Sequence, residues 1–229
     1  MVKDVAVIIP ALNEEKSIQK VIHDIPKDLV NEIVVVDNSS TDETAVKAAE
    51  TGVTVIKESV RGYGSACHSG LEYLKTKLWQ PDIVVFLDGD YSDYPEEMKK
   101  LLEPIINRGY DLVLGARTID KEEKHAMSYQ QVLGNRLLIF IIRLLYRHKY
   151  RDLGPFRAIK YTKLIQLDIK DRSYGWTTEM QLKALKQNLK ILEIPVNYRA
   201  RIGESKISGS LFNSLKAGFI ILMTIFRYL

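Results

Sequence analysis

The chain has 229 residues, 46% of them hydrophobic and 27% charged, with a formal net charge of +4 and one cysteine. That is a globular composition, long enough to bury a substantial core; it excludes an internal disulfide framework and fits a reducing compartment, with Cys67 read as a small buried side chain. No dense Lys/Arg run or recognition motif points to nucleic acid, although the acidic residues are frequent before position 125 and the basic excess lies after it.

In chain order, Val5-Ala6-Val7-Ile8-Ile9-Pro10 reads as a buried strand ended by a proline that cannot donate to a sheet ladder. The residues ahead of it lack the apolar core of a signal peptide, so a cytoplasmic start is expected. Asn13-Glu14-Glu15 opens a helix with apolar positions Ile18, Val21, Ile22 and Ile25. Residues 32–37 form a second strand ending on Asp37, and the N-capping types from Ser39 to Thr44 start a helix through Ala49. Val53-Thr54-Val55-Ile56 is a third strand, and Arg61-Gly62-Tyr63-Gly64 is a glycine-rich entry to a helix through Leu74.

Ile83-Val84-Val85-Phe86-Leu87 reads as a buried fourth strand that delivers Asp88 and Asp90 to its end. Two carboxylates this close need a cation, and an oxygen-only pair suits a hard divalent ion, Mg²⁺ or Mn²⁺. An Asp-Gly hairpin turn is the bland alternative. Residues 111–117 form a fifth strand ending on Arg117, which would face phosphates or make a surface ion pair. Strands alternating with helices imply an α/β fold with a doubly wound, mostly parallel sheet, whose ligands sit beyond the carboxyl ends of the strands. Neither a GxGxxG fingerprint nor a Walker A sequence is present, so dinucleotide and P-loop sites lose their main support.

Further on, Arg199, Arg201 and Lys206 cluster after a strand at residues 191–198, as a basic loop that is either solvated or suited to an anionic acceptor. Glu179 is the carboxylate available as general base for a hydroxyl acceptor, or it merely starts a helix over residues 179–186. Residues 133–146 and 211–229 are apolar segments broken by basic residues, and the apolar stretch 217–226 falls short of the ~20 residues that span a bilayer. Amphipathic helices lying in a membrane interface are expected, or a helix pair packing against itself or a second subunit.

Taken together, these blocks resemble family 2 glycosyltransferases with the GT-A fold. The resemblance rests on Ile8-Ile9-Pro10-Ala11-Leu12-Asn13-Glu14-Glu15, on Val34-Val35-Val36-Asp37-Asn38-Ser39-Ser40-Thr41-Asp42, and on Asp88-Gly89-Asp90, which looks like the DxD motif. Gly115-Ala116-Arg117, Asp152-Leu153-Gly154-Pro155-Phe156-Arg157-Ala158, Tyr174-Gly175-Trp176-Thr177-Thr178-Glu179-Met180 and Gly203-Glu204-Ser205-Lys206 narrow it toward polyprenyl- or dolichyl-phosphate sugar synthases and their bacterial relatives. It implies a GT-A domain over residues 1–206, with a nucleotide-sugar half (1–120) and an acceptor half (121–206), then a C-terminal amphipathic helix over 207–229.

The expected donor set is Pro10, Ala11, Asn13, Glu14, Asp37, Asp42, Arg61, Gly62 and Asp88, with Mg²⁺ or Mn²⁺ on Asp88 and Asp90. Arg199, Arg201, Ser205 and Lys206 are expected on the acceptor phosphate, and Asp90, Arg117 and Glu179 at the chemistry. The implied activity is inverting transfer of a hexose, mannose or glucose, from a nucleoside-diphosphate sugar to a polyprenyl phosphate at the cytoplasmic membrane face. Transfer to a hydroxyl with Glu179 as base, and a non-catalytic nucleotide-sugar-binding module, are the alternatives. Two departures stand out. The Gln common two residues after the second Asp is here Ser92, beside Asp93, and the usual Arg three residues before Gly203 is Ala200, flanked by Arg199 and Arg201.

Overall fold

The computed structural model describes residues 3–118, 127, 129–203 and 211–229. Its elements run β1 (Val5–Ala11), α1 (Ile18–Asp24), β2 (Glu32–Asp37), α2 (Thr44–Glu50), β3 (Thr54–Lys57), α3 (Tyr63–Thr76), β4 (Ile83–Phe86) and α4 (Met98–Arg108). They continue as β5 (Leu112–Thr118), α5 (Tyr129–Tyr146), β6 (Arg157–Lys160), α6 (Tyr161–Leu167), α7 (Trp176–Lys186), β7 (Ile191–Asn197) and α8 (Leu211–Arg227). Among the described residues the strands make one seven-stranded sheet, ordered β3-β2-β1-β4-β6-β5-β7. Every pairing is parallel except those of β6, which runs antiparallel to both β4 and β5.

Strand alternation sorts the core into two layers. Val5, Val7, Ile9, Val35, Val85, Val113 and Ala158 face one side, against Ile18, Val21 and Ile22 of α1 and Leu101, Leu102 and Ile105 of α4. Ala6, Ile8, Val34, Val36, Val84, Phe86, Leu112 and Ile159 face the other, against α3, α5, α6, α7 and Ile225 of α8. Cys67 lies fully buried in that second layer.

Pro10 does not end its strand. Ala11 follows it in β1, because the β1–β4 ladder stops at Ile8 opposite Phe86 while the β1–β2 ladder runs on to Ala11 opposite Asp37. Ile8 O accepts from Leu87 on the β4 side and Ala11 O from Asn38 on the β2 side, so alternation turns Pro10 toward the side where β4 has already ended. Its missing N–H interrupts nothing there. The segment β6–α6 has no counterpart among the expected elements, and α7 begins at Trp176, three residues ahead of the expected start, with Glu179 in its first turn.

Candidate active site

β1 lies between β2 and β4, and the chain travels outward from β1 to β3 before returning to β4. The carboxyl ends of β1, β2 and β4 therefore border a topological switch point, the crevice where open α/β sheets bind ligands.

On the β1–β2 side two loops are knitted together. Asn13 N donates to Ser40 Oγ (2.9 Å), Thr41 N to Asn13 Oδ1 (2.8 Å), Glu14 N to Thr44 Oγ1 (2.7 Å) and Glu15 N to Asp42 Oδ2 (3.2 Å). Asn13 and Ser39 take left-handed conformations (φ 54° and 63°), costly for most side chains but tolerated by Asn. Asp37 is 6% exposed and accepts from Ser40 N at 3.3 Å. Asp42 is spent on its own loop: it accepts from Thr44 N (3.0 Å), and although burial opposes this, the hydrogen bonds of Thr44 and Glu15 N hold its carboxyl below the usual range. In this structure it braces the turn that leads into α2.

Arg61 is exposed, and Gly62 serves a close backbone approach. Gly62 has φ 150°, and a Cβ there would stand 2.1 Å from Arg172 O. Asn38, which carried no expectation of its own, ties this loop down, accepting from Gly62 N (2.7 Å) and donating to Val60 O (2.8 Å).

The β4 end is different in kind. Asp90 is 6% exposed; its Oδ1 accepts from Ser92 N (2.9 Å) and Ser92 Oγ (2.6 Å), and its Oδ2 lies 3.3 Å from Arg201 Nη1. Ser92 is thus turned onto Asp90. Asp88 Oδ1 is buried and makes no well-formed hydrogen bond among the described residues, although the buried Tyr63 hydroxyl lies close enough to favour its charged form. Burial, then the Asp90 charge, pushes the Asp88 carboxyl up to about 7. Asp93 is 1% exposed, neither of its oxygens finds a hydrogen-bond partner among the described residues, and burial followed by Asp88 and Asp90 pushes it well above the carboxylate range.

An unpartnered buried carboxylate oxygen beside a second carboxylate fits a divalent cation. Among the described residues no three His, Cys, Asp or Glu side chains converge into a metal cage.

The arginines divide sharply. Arg117 forks onto Asp152, with Nε at 2.6 Å from Oδ2 and Nη2 at 2.7 Å from Oδ1; burial opposes its charge, but Asp152 raises its pKa above the ordinary arginine value. Arg199, expected at an acceptor phosphate, instead stacks between Tyr91 (3.4 Å to the ring centre) and Tyr94 (4.2 Å) and donates Nε to Tyr91 O at 2.7 Å. In this structure it staples the 91–94 turn. Arg201 reaches the site, with Nη2 at 2.9 Å from Glu14 Oε1 and Nη1 on Asp90. Ser205 and Lys206 lie outside the described residues.

Glu179 is engaged on all sides within the fold. It is 1% exposed, and its oxygens accept from Lys170 N (2.8 Å), Asp171 N (2.7 Å) and the Tyr228 hydroxyl (2.7 Å) and pair with Lys183 (2.7 Å). Burial alone would raise its pKa, yet Lys183, Tyr228 and the two amides together lower it. A carboxylate so occupied is a poor proton acceptor. Arg157, quoted above only as part of a landmark, is fully buried and donates to the carbonyls of Gly154, Pro155 and Thr177.

The family model of glycosyl transferase family 2 matches residues 6–167. An uncharacterized glycosyltransferase of Mycobacterium bovis is 34% identical over 216 residues, covering 93% of this chain and 94% of its own. A dolichyl-phosphate hexose transferase of Haloferax volcanii is 30% identical over 208 residues, covering 89% and 86%. The fold matches a glucosyl-3-phosphoglycerate synthase from Mycobacterium tuberculosis, crystallised with Mn²⁺, UDP and phosphoglyceric acid, at TM-score 0.79 and 22% identity over 99% of this chain and 78% of that one. With an ordered DxD-type pair at the switch point and a family match over most of its length, this chain belongs to glycosyl transferase family 2.

Proposed function

We propose that the protein transfers a hexose from a nucleoside-diphosphate sugar to a polyprenyl phosphate, with inversion, at the cytoplasmic face of a membrane. Asp37 and the knitted loops of Pro10 to Glu14 would seat the nucleoside. Asp88 and Asp90 would hold Mg²⁺ or Mn²⁺, which when bound supplies Lewis-acid stabilisation of the charge developing on the leaving diphosphate. Arg201 adds a second positive charge at the same place, and Arg117, locked to Asp152, holds a cation beside it. A phosphate acceptor is already anionic near neutral pH, so the commitment of Glu179 to structural contacts costs the reaction nothing.

The observation that carries the lipid acceptor is the surface of α5 and α8. Leu133, Leu137, Phe140 and Leu144 form one exposed stripe of α5, and Leu215, Phe219, Met223 and Phe226 one of α8. The two helices pack together, with the Tyr146 hydroxyl on Ile225 O at 2.8 Å. No helix among the described residues is long and apolar enough to cross a membrane. Paired apolar stripes near Arg136, Arg143 and Lys216 suit an interface bearing anionic headgroups.

A second reading, a small phosphorylated acceptor with a hydroxyl nucleophile, draws on the glucosyl-3-phosphoglycerate synthase fold. Purified protein, Mn²⁺ and a panel of sugar nucleotides, offered polyprenyl phosphate in vesicles or 3-phosphoglycerate in solution, separates the two. Sugar in the lipid extract is expected; sugar only on the soluble acceptor would overturn the reading.

A further inference from the structure

Arg201 is the one described cation that bridges both sides of the crevice, touching Glu14 at the end of β1 and Asp90 at the end of β4. Its side chain is 25% exposed, while the two carboxylates it touches are 8% exposed. The segment around it is held to the same place by backbone, Ile202 N donating to Asp90 O at 2.9 Å. Two features mark the arrangement as provisional. The Nη1–Asp90 distance is 3.3 Å, loose for a charge-assisted bond, and Arg201 Nε is buried with no partner among the described residues. One loose bond and one unused donor leave a fork whose shape suits a phosphate oxyanion.

Asp90 Oδ2 cannot serve Arg201 and a divalent ion at full strength together, since two cations on one oxygen repel. We infer that Arg201 is the counter-charge of Asp90 until metal arrives, and that the metal displaces it onto a phosphoryl oxygen, with residues 199–203 as the part that moves. Metal binding would then precede capture of that phosphate. This rests on Asp88 and Asp90 being the metal ligands. Arg201 is a positioning residue in this scheme before it is a phosphate contact.

The test uses full-length protein with Mn²⁺ alone, following free Mn²⁺ by electron paramagnetic resonance. Arg201→Gln should bind Mn²⁺ about fivefold tighter than wild type, and Arg201→Lys by an intermediate amount. Hydrogen exchange on the wild type gives a measurement independent of any variant's folding: Mn²⁺ alone should loosen the amide of Ile202. Equal or weaker Mn²⁺ binding by Arg201→Gln, or an Ile202 amide that Mn²⁺ leaves unchanged, would overturn the inference. Absence of Mn²⁺ binding by the wild type would instead sink the metal site.

The source of the phosphate is read separately. A weaker Mn²⁺–nucleoside diphosphate complex in Arg201→Gln assigns the donor. A raised KM for polyprenyl phosphate with donor KM unchanged assigns the acceptor. No change in either contradicts the phosphate contact.

Discussion

The two rims of the crevice are built on opposite principles. Along β1 and β2 each polar group reported above has a partner within the protein: Asn13, Asn38, Asp42 and Thr44 exchange hydrogen bonds across two loops until the backbone is fixed, even with Asn13 and Ser39 in left-handed conformations. Along the β4 end three carboxylate oxygens, one on Asp88 and two on Asp93, are buried with no hydrogen-bond partner among the described residues. A satisfied network stabilises the fold and preorganises a surface, whereas orphaned acceptors cost stability that only a ligand restores. The difference separates residues that build the site from residues that wait for something to bind.

The contrast is broken most severely at Asp88. Asp88→Asn should lower sugar transfer by about 10²–10³-fold, the usual loss when charge stabilisation at a leaving group is removed, with the metal-free melting temperature unchanged or higher. Activity and thermal unfolding of the same preparation check it; a variant that melts lower would place Asp88 among the builders. On the other rim Asn38→Ala removes bonds to Gly62 N and Val60 O and should cost about 2–3 kcal/mol by denaturant unfolding.

Glu179→Gln tests whether this carboxylate builds the fold or serves as a base. Its folded pKa lies below the unfolded one, so it contributes stability at neutral pH that is lost as pH falls through and below about 4.5. The variant should lose about 1–2 kcal/mol at pH 7, show a flatter acid limb, and keep sugar transfer within a few-fold of wild type. Abolished transfer with wild-type stability would restore the base.

What was legible in the sequence follows the same division. Apolar runs and their polar ends located β1, β2, β4 and β5, and the placement of Asp37, Asp88 and Asp90 at the carboxyl edge followed from the parallel architecture alone. β6 escaped because a four-residue strand with a buried arginine has no apolar signature, and its antiparallel pairing is a tertiary fact. The functions of the arginines escaped for another reason. Arg199 and Arg201 are two residues apart in the same loop, and only their three-dimensional partners, two tyrosine rings for one and two carboxylates for the other, tell them apart.

The smallest expected effect falls on Asp93, and its sign is informative. With both oxygens buried and unpartnered, the folded protein holds its proton more tightly than the unfolded chain does, so this residue withdraws stability as pH rises above about 4. Asn has the same shape and no charge. Asp93→Asn should therefore match wild type near pH 4 and exceed it increasingly as pH rises to 7.5, measured by urea unfolding in EDTA so that no metal compensates the charge. The gain should shrink when Mn²⁺ is added, because a cation beside Asp88 and Asp90 lowers the cost of a third negative charge in wild type. A less stable variant at pH 7.5 would mean that Asp93 already has a counter-charge, and that the orphaned rim is narrower than Asp88 and Asp93 together.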